Sequence, residues 1–285
     1  MSTAPADKSS WSLEIINNVP ADRVFKAALF DFDGTLSLIR EGWQEIMIPY
    51  FCEEFNSSVP NKTESDDEVI ELITDFVDEL TGKQTIFQCL QLKIEIEKRG
   101  GHAKDAMEYK NEYLRRLFLR IEDKRNGLSD GSIKPEELLV KGAAEFLSAL
   151  KNEGIELLCA SGTDQPQVIE EAKLLGLDKY FGNNIFGALD EHAQQCSKEV
   201  VIQRLLTENN IKGENLLSFG DGFVEIELVN KVGGYTVAVA TDEKHQCGVN
   251  EYKRKKLLSA GADAVIPDFE NTEQLIAHLF NKEEK

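Results

Sequence analysis

The sequence predicts an α/β protein whose doubly wound, mostly parallel sheet is interrupted by an all-helical unit. Three observations carry this. Short apolar runs alternate with helix-length amphipathic stretches from Lys26 to Asp33 and again from Ile155 onward. The runs are continuously apolar over four to six residues, which suits strands covered on both faces. From about Leu38 to Lys134 the texture changes to helical periodicity with no strand-like run.

Taken in order, Ser12–Asn17 reads as an edge strand ahead of the core. The apolar run AALF then leads directly into Asp31-Phe32-Asp33-Gly34-Thr35. In the next block Val69, Leu72, Ile73, Phe76, Val77 and Leu80 recur at i, i+3, i+4, i+7, i+8 and i+11, one face of a helix. Leu114, Leu117, Phe118 and Ile121 repeat the device, so three to four helices are expected there. The segment NGLSDGSIKPEE (126–137) reads as a hinge returning the chain to the sheet. It mimics a calcium loop, with Gly131 sixth and Glu137 last, but Asn126 and Leu128 stand at the first and third ligand places. The runs IELLCA (155–160), NIFGAL (184–189), NLLSF (215–219), YTVAVA (235–240) and AVI (264–266) are the remaining strands. The expected organisation is a discontinuous α/β core over 1–37 and 137–285, with a helical domain over 38–136.

The 285 residues, 41% of them hydrophobic, suffice for one large domain or two modest ones with a sizeable core. A net charge of −19 argues against binding nucleic-acid backbone or an anionic membrane surface. No apolar stretch approaches the roughly 20 residues that span a bilayer, and the start lacks the pattern of a secretory signal. The 5 cysteines are odd in number and scattered, which reads as reduced thiols and a cytoplasmic location.

The strongest chemical signal is the pair Asp31 and Asp33 at the end of the first core strand. Alternation puts both carboxylates on one side and Phe32 on the other, and Gly34 supplies the turn. Open α/β sheets bind ligands at such strand ends. Three later segments add to it: LLCASGT with Ser161 and Gly162, Ser197–Ile202 with Lys198 opening a helix, and SFGDGFVE with Asp221 and Glu225. Singly, these read as a helix cap, a solvated lysine and a turn. Jointly, in this order and at strand ends, they point to one site.

These four segments resemble the motifs of the haloacid dehalogenase (HAD) superfamily, specifically its phosphatase branch. The resemblance covers residues 26–37 and 137–285 and implies a Rossmann-like core with a helical cap inserted after the first motif. It implies Asp31 as nucleophile and Asp33 as general acid/base. It further implies Ser161, the Gly162 N–H and Lys198 on the phosphoryl oxygens. Magnesium would be held by Asp31, the Asp33 carbonyl and Asp221, with Glu225 acting mainly through water. Relatives often carry Asp where this chain has Glu225. The function expected is magnesium-dependent hydrolysis of a small phosphorylated metabolite by a monomer or homodimer. A phosphomutase and a catalytically silent binding relative are the alternatives. A dehalogenase is disfavoured, because it needs neither magnesium nor the second Asp.

Competing signals are weak. The chain has no Cys-x5-Arg, no phosphate loop and no G-x-G-x-x-G. His102, His192, His245 and His278 are scattered, and Lys253–Lys256 reads as a solvated helix face. Arg40 and Trp43 follow the nucleophile closely enough to stand at the mouth of the site. Arg40 is expected either to select substrate through a second anionic or hydroxyl group or to form a surface ion pair with Glu41 or Glu45.

Overall fold

The run AALF forms an inner strand of the sheet, with parallel neighbours on both sides, and the candidate site lies at its end. A computed structural model describes residues 11–189, 198–208 and 211–282. It contains β1 (Glu14–Ile15), β2 (Ala27–Phe30), β3 (Glu156–Asp164), β4 (Ile185–Ala188), β5 (Leu216–Gly220), β6 (Tyr235–Val239) and β7 (Ala264–Ile266). The sheet order is β1-β7-β6-β5-β2-β3-β4. Every pairing is parallel except β1 with β7, so Ser12–Asn17 does supply an antiparallel edge strand. The chain runs from β2 outward to β4, then returns to the other side of β2 and runs to β7. This reversal makes the β5/β2 junction the switch point where such sheets open a crevice.

Continuous apolar sequence is explained by burial on both faces: β2, β5, β6 and β7 are buried at every residue. Below the end of β2 the rings of Phe30 and Phe219 stack with centroids 4.6 Å apart, and Phe146 and Phe269 stack at 5.1 Å. This close-packed floor fixes the strand ends that carry the acids.

Four helices fill the intervening block: α1 (Gln44–Ser58), α2 (Asp66–Glu79), α3 (Thr85–Lys98) and α4 (Ala106–Asp130). The periodic residues face inward as their spacing requires, with Val69, Ile73, Phe76 and Val77 buried on α2. Ser65 and Glu68 form a capping box at the start of α2. The block is entered and left side by side, since Leu38 N donates to Leu138 O and Val140 N to Leu36 O.

Two expectations are corrected. The hinge is shorter than 126–137, because α4 continues through Asn126–Asp130 and stops only at Gly131, whose φ of 80° forms a left-handed cap. Gly127 is buried against Ile133, so the glycine that looked like a breaker is a packing site. Nor is Lys253–Lys256, on α10 (Glu251–Ser259), a solvated face. Arg254 grips Glu14 of β1 through two hydrogen bonds of 2.6 Å, and Lys256 donates to the Asp78 carbonyl. Lys253 enters the acidic site, and Lys255 alone of the four is exposed.

Of the cysteines, Cys196 lies outside the described residues, as does His192. Cys52, Cys89, Cys159 and Cys247 form no disulfide among the described residues. Among them too, no helix is long and apolar enough to cross a membrane.

Candidate active site

Asp31 is the first residue beyond β2, with its N–H donated to the Phe219 carbonyl of β5 and its side chain buried. Phe32 turns down into the core, and Gly34 takes φ +75° to reverse the chain. A Cβ on Gly34 would lie 2.2 Å from Asp221 Oδ2, so glycine is required by space as well as by backbone. Thr35 ties this turn to β5: its hydroxyl accepts from Asp221 N at 3.0 Å and lies 3.5 Å from Asp221 Oδ1.

Lys198 opens α8 (Lys198–Glu208) and is buried. Its ammonium lies 2.9 Å from Asp31 Oδ1 and 2.7 Å from Glu225 Oε2. Glu225, in the first turn of α9 (Phe223–Lys231), is fully buried and accepts the Gly222 N–H through its other oxygen. Burial raises the Asp31 carboxyl well above the usual range; Lys198 opposes this, while Glu225 and Asp221 reinforce it. Burial alone would lower Lys198, but Asp31 and Glu225 outweigh it and hold the lysine charged.

Asp31, Asp221 and Glu225 each offer an oxygen, and the three oxygens lie within 4.8 Å of one another. An all-oxygen carboxylate donor set, buried at Asp31 and Glu225 and half-buried at Asp221, suits a hard divalent cation such as magnesium. Three of the four expected metal residues, Asp31, Asp221 and Glu225, lie together, and Glu225 also anchors Lys198.

Asp33 has other partners. Its Oδ2 accepts hydrogen bonds from Thr163 at 2.8 Å and from Ser161 at 3.3 Å. Its Oδ1 is buried and makes no hydrogen bond among the described residues, with Arg40 Nε at 3.8 Å. Asp31, Asp33, Ser161, Gly162 and Asp221 line a cavity of about 90 Å³ closed by Arg40, Trp43 and Tyr113 of the helical block and its approach.

Arg40 and Trp43 thus do stand at the site, but the surface pairing of Arg40 with Glu41 or Glu45 is wrong. Arg40 is buried and forks onto Glu171 of α6 (Gln165–Leu174), with Nη2–Oε1 at 2.7 Å and Nε–Oε2 at 3.0 Å. Nη2 also donates to Gln167 at 3.0 Å. The guanidinium is taken, because a buried arginine must find a carboxylate.

A family model described as haloacid dehalogenase-like hydrolase matches residues 25–233. The chain belongs to the haloacid dehalogenase-like hydrolases. No curated protein matches it. Among solved structures, it is similar to a predicted phosphatase from Clostridium acetobutylicum, at 20% identity and TM-score 0.57, covering 89% of this chain and 99% of that one. A predicted phosphoglycolate phosphatase from Haemophilus somnus shares 17% identity at TM-score 0.53, over 88% and 97% of the two chains. A β-phosphoglucomutase from Clostridium difficile shares 15% at TM-score 0.58, over 90% and 98%.

In this HAD-like hydrolase, sequence reading missed Thr35, Thr163, Glu171, Glu243 and Lys253. Thr35 and Thr163 carried a local signal: the first closes D-x-D-G-T, and the second is two residues from Ser161, on the same side of β3. Glu171, Glu243 and Lys253 carried none, since each meets its partner only through the tertiary fold.

Proposed function

We propose that the protein is a magnesium-dependent phosphatase that hydrolyses a small phosphorylated metabolite through an aspartyl-phosphate on Asp31. The observation that carries this reading is a pair of aspartates on one cavity with different partners. Asp31 is paired with Lys198 and adjoins Asp221 and Glu225, whereas Asp33 presents an unbonded Oδ1 beside the same cavity. Family membership and the phosphatase and phosphomutase names among its structural relatives support phosphoryl chemistry.

In this reading Asp31, Asp221 and the Asp33 carbonyl hold magnesium, with Glu225 beside them. Magnesium bound there would offset the charge of the phosphate and favour the carboxylate form of Asp31. An Asp31 oxygen attacks phosphorus, and the bond to the leaving oxygen breaks as Asp33 gives that oxygen a proton. Asp33 then takes a proton from the water that attacks the acyl phosphate, which frees Asp31 and releases phosphate. Thr163 and Ser161 orient Asp33. Lys198, Ser161 and the Gly162 N–H hold phosphoryl oxygens, the positioning on which phosphoryl transfer depends.

Residues 38–136 form the cap in this reading, and 1–37 with 137–285 form the catalytic core. Arg40 and Trp43 shape the cavity wall; with its guanidinium committed to Glu171, Arg40 acts by keeping that wall in place.

The test is phosphate release from p-nitrophenyl phosphate and a panel of sugar phosphates, with Asp31→Asn beside the wild type. Asp31→Asn should fold normally and lose turnover entirely. Wild-type activity in the folded variant sinks the assignment, and isomer formation without phosphate release identifies a mutase instead.

A further inference from the structure

Lys253 stands against the very carboxylate that the proposed cation requires. Its Nζ lies 2.6 Å from Asp221 Oδ2 and also contacts Glu243, on the segment after β6. The lysine side chain is only 20% exposed, and Asp221 only 12%. Glu243 is brought in over the Gly34 turn, where a Cβ would lie 3.1 Å from its Oε1 as well as 2.2 Å from Asp221 Oδ2. Asp31, Asp33, Asp221, Glu225 and Glu243 are then five carboxyl groups facing two ammonium groups, Lys198 and Lys253, a formal 2 − 5 = −3 with every group ionised. Arg40 does not redress this balance, because Glu171 takes its charge.

Lys198 and Lys253 are held differently. Both partners of Lys198, Asp31 and Glu225, belong to the acidic cluster, whereas Lys253 is shared between Asp221 and Glu243, which stands outside that cluster, and it borders a cavity of about 230 Å³ with Asp221, Glu243, Tyr252, Asp78 and Trp43. The lysine therefore has room to leave Asp221 without leaving Glu243. A divalent cation arriving at Asp221 competes with an ammonium already in hydrogen-bond contact with that carboxylate, and like charges a few ångströms apart repel.

We propose that Lys253 is a tethered counter-ion for the metal site, neutralising Asp221 while the cation is away and withdrawing onto Glu243 when it binds. This rests on the magnesium reading above. Glu243 is the residue that receives the displaced charge, so the two side chains affect magnesium affinity in opposite directions. A merely structural ion pair would weaken binding when either partner was removed.

The experiment is calorimetric titration with magnesium chloride of the wild type, Lys253→Met and Glu243→Gln, paired with melting temperatures in EDTA and in saturating magnesium. Methionine keeps the stem of the side chain and removes only the charge. Lys253→Met should bind magnesium at least about tenfold tighter, since a unit charge a few ångströms from a divalent ion is worth that much even when water screens it. It should melt several degrees below wild type in EDTA, and the gap should close in magnesium. Glu243→Gln should bind magnesium several-fold more weakly. Magnesium binding by Lys253→Met that is unchanged or weaker overturns the counter-ion role, as does unchanged binding by Glu243→Gln. Wild type that takes up no magnesium overturns the metal reading itself, a distinct outcome because it shows in the first titration.

Discussion

Lys198 is the single cation enclosed between Asp31 and Glu225, and its removal leaves two buried carboxylates facing each other. Breaking a buried pair from one side costs about 3–5 kcal/mol, more than the pair itself contributes. Lys198→Met should lower the urea midpoint accordingly, and saturating magnesium should recover part of the loss by replacing the missing charge. No response of stability to the substitution contradicts the burial of this cluster. A second residue sets a pH dependence. Burial lowers the His278 pKa below its usual value, with Nε2 facing the Tyr235 hydroxyl at 2.8 Å. The unfolded chain then holds more protons than the folded one in the window just below the ordinary histidine pKa. Stability is full above that value and is lost as the pH falls through the folded pKa. The urea midpoint of His278→Gln should therefore fall less than that of wild type between about pH 7.5 and 5.5; parallel curves rule the histidine out. At this scale the sequence was most informative where chemistry is local: D-x-D-G-T announces two acids and their turn. It misread Lys253 as solvated and was silent on Glu171, whose partners Asp221 and Arg40 lie 32 and 131 residues away.

Elements were legible in proportion to their periodicity. The strands fell where continuous apolar runs stood, because burial on both faces leaves no other pattern. The end of α4 was misread because Gly127 and Ser129 look like breakers, while the inward packing of Leu128 and of Gly127 against Ile133 outweighs their propensity. Gly142 is a glycine with a positional reason. It begins α5 (Ala143–Asn152) at φ 72°, where the chain re-enters the core, and a Cβ there would lie 2.2 Å from the Phe269 carbonyl oxygen. Gly154, just after the same helix, has φ +79° with nothing within 4 Å of its Cβ position. Both alanine variants incur the left-handed backbone cost, about 1–2 kcal/mol. Only Gly142→Ala also forces α5 away from the Phe269 segment. It should lose clearly more stability than Gly154→Ala in chemical denaturation, and equal losses would show that the contact relaxes freely.

At the scale of the whole molecule, the seam between the helical block and the sheet decides whether the site is closed. Sequence indicates both partners but not how they meet, because the contacts join residues far apart in the chain. Lys110 of α4 reaches Asp164 at 2.6 Å, and Asp78 of α2 takes the Tyr252 hydroxyl of α10 at 2.7 Å. The closest approach at the cavity is made by two glycines. A Cβ on Gly162 would lie 2.5 Å from the Lys83 carbonyl oxygen, and one on Gly222 would lie 3.4 Å from Gly82 Cα. The loop between α2 and α3 thus rests directly on the segments that carry Ser161 and Asp221. Gly162 has no left-handed φ, so alanine adds no such backbone strain there, and it keeps the N–H expected on the phosphoryl group. What it adds is one methyl group in the seam, which must push the loop outward and admit water to the cavity. Misplacement of about 1 Å costs up to a hundredfold in such reactions, so Gly162→Ala should lower kcat/KM by about ten- to a hundredfold. The loss should be as large on p-nitrophenyl phosphate as on any sugar phosphate, because it lies in closure and not in recognition. The melting temperature should stay within a few degrees of wild type, since the seam can part without unpacking either core. Undiminished turnover in Gly162→Ala would mean that chemistry does not require the loop to seat on Gly162.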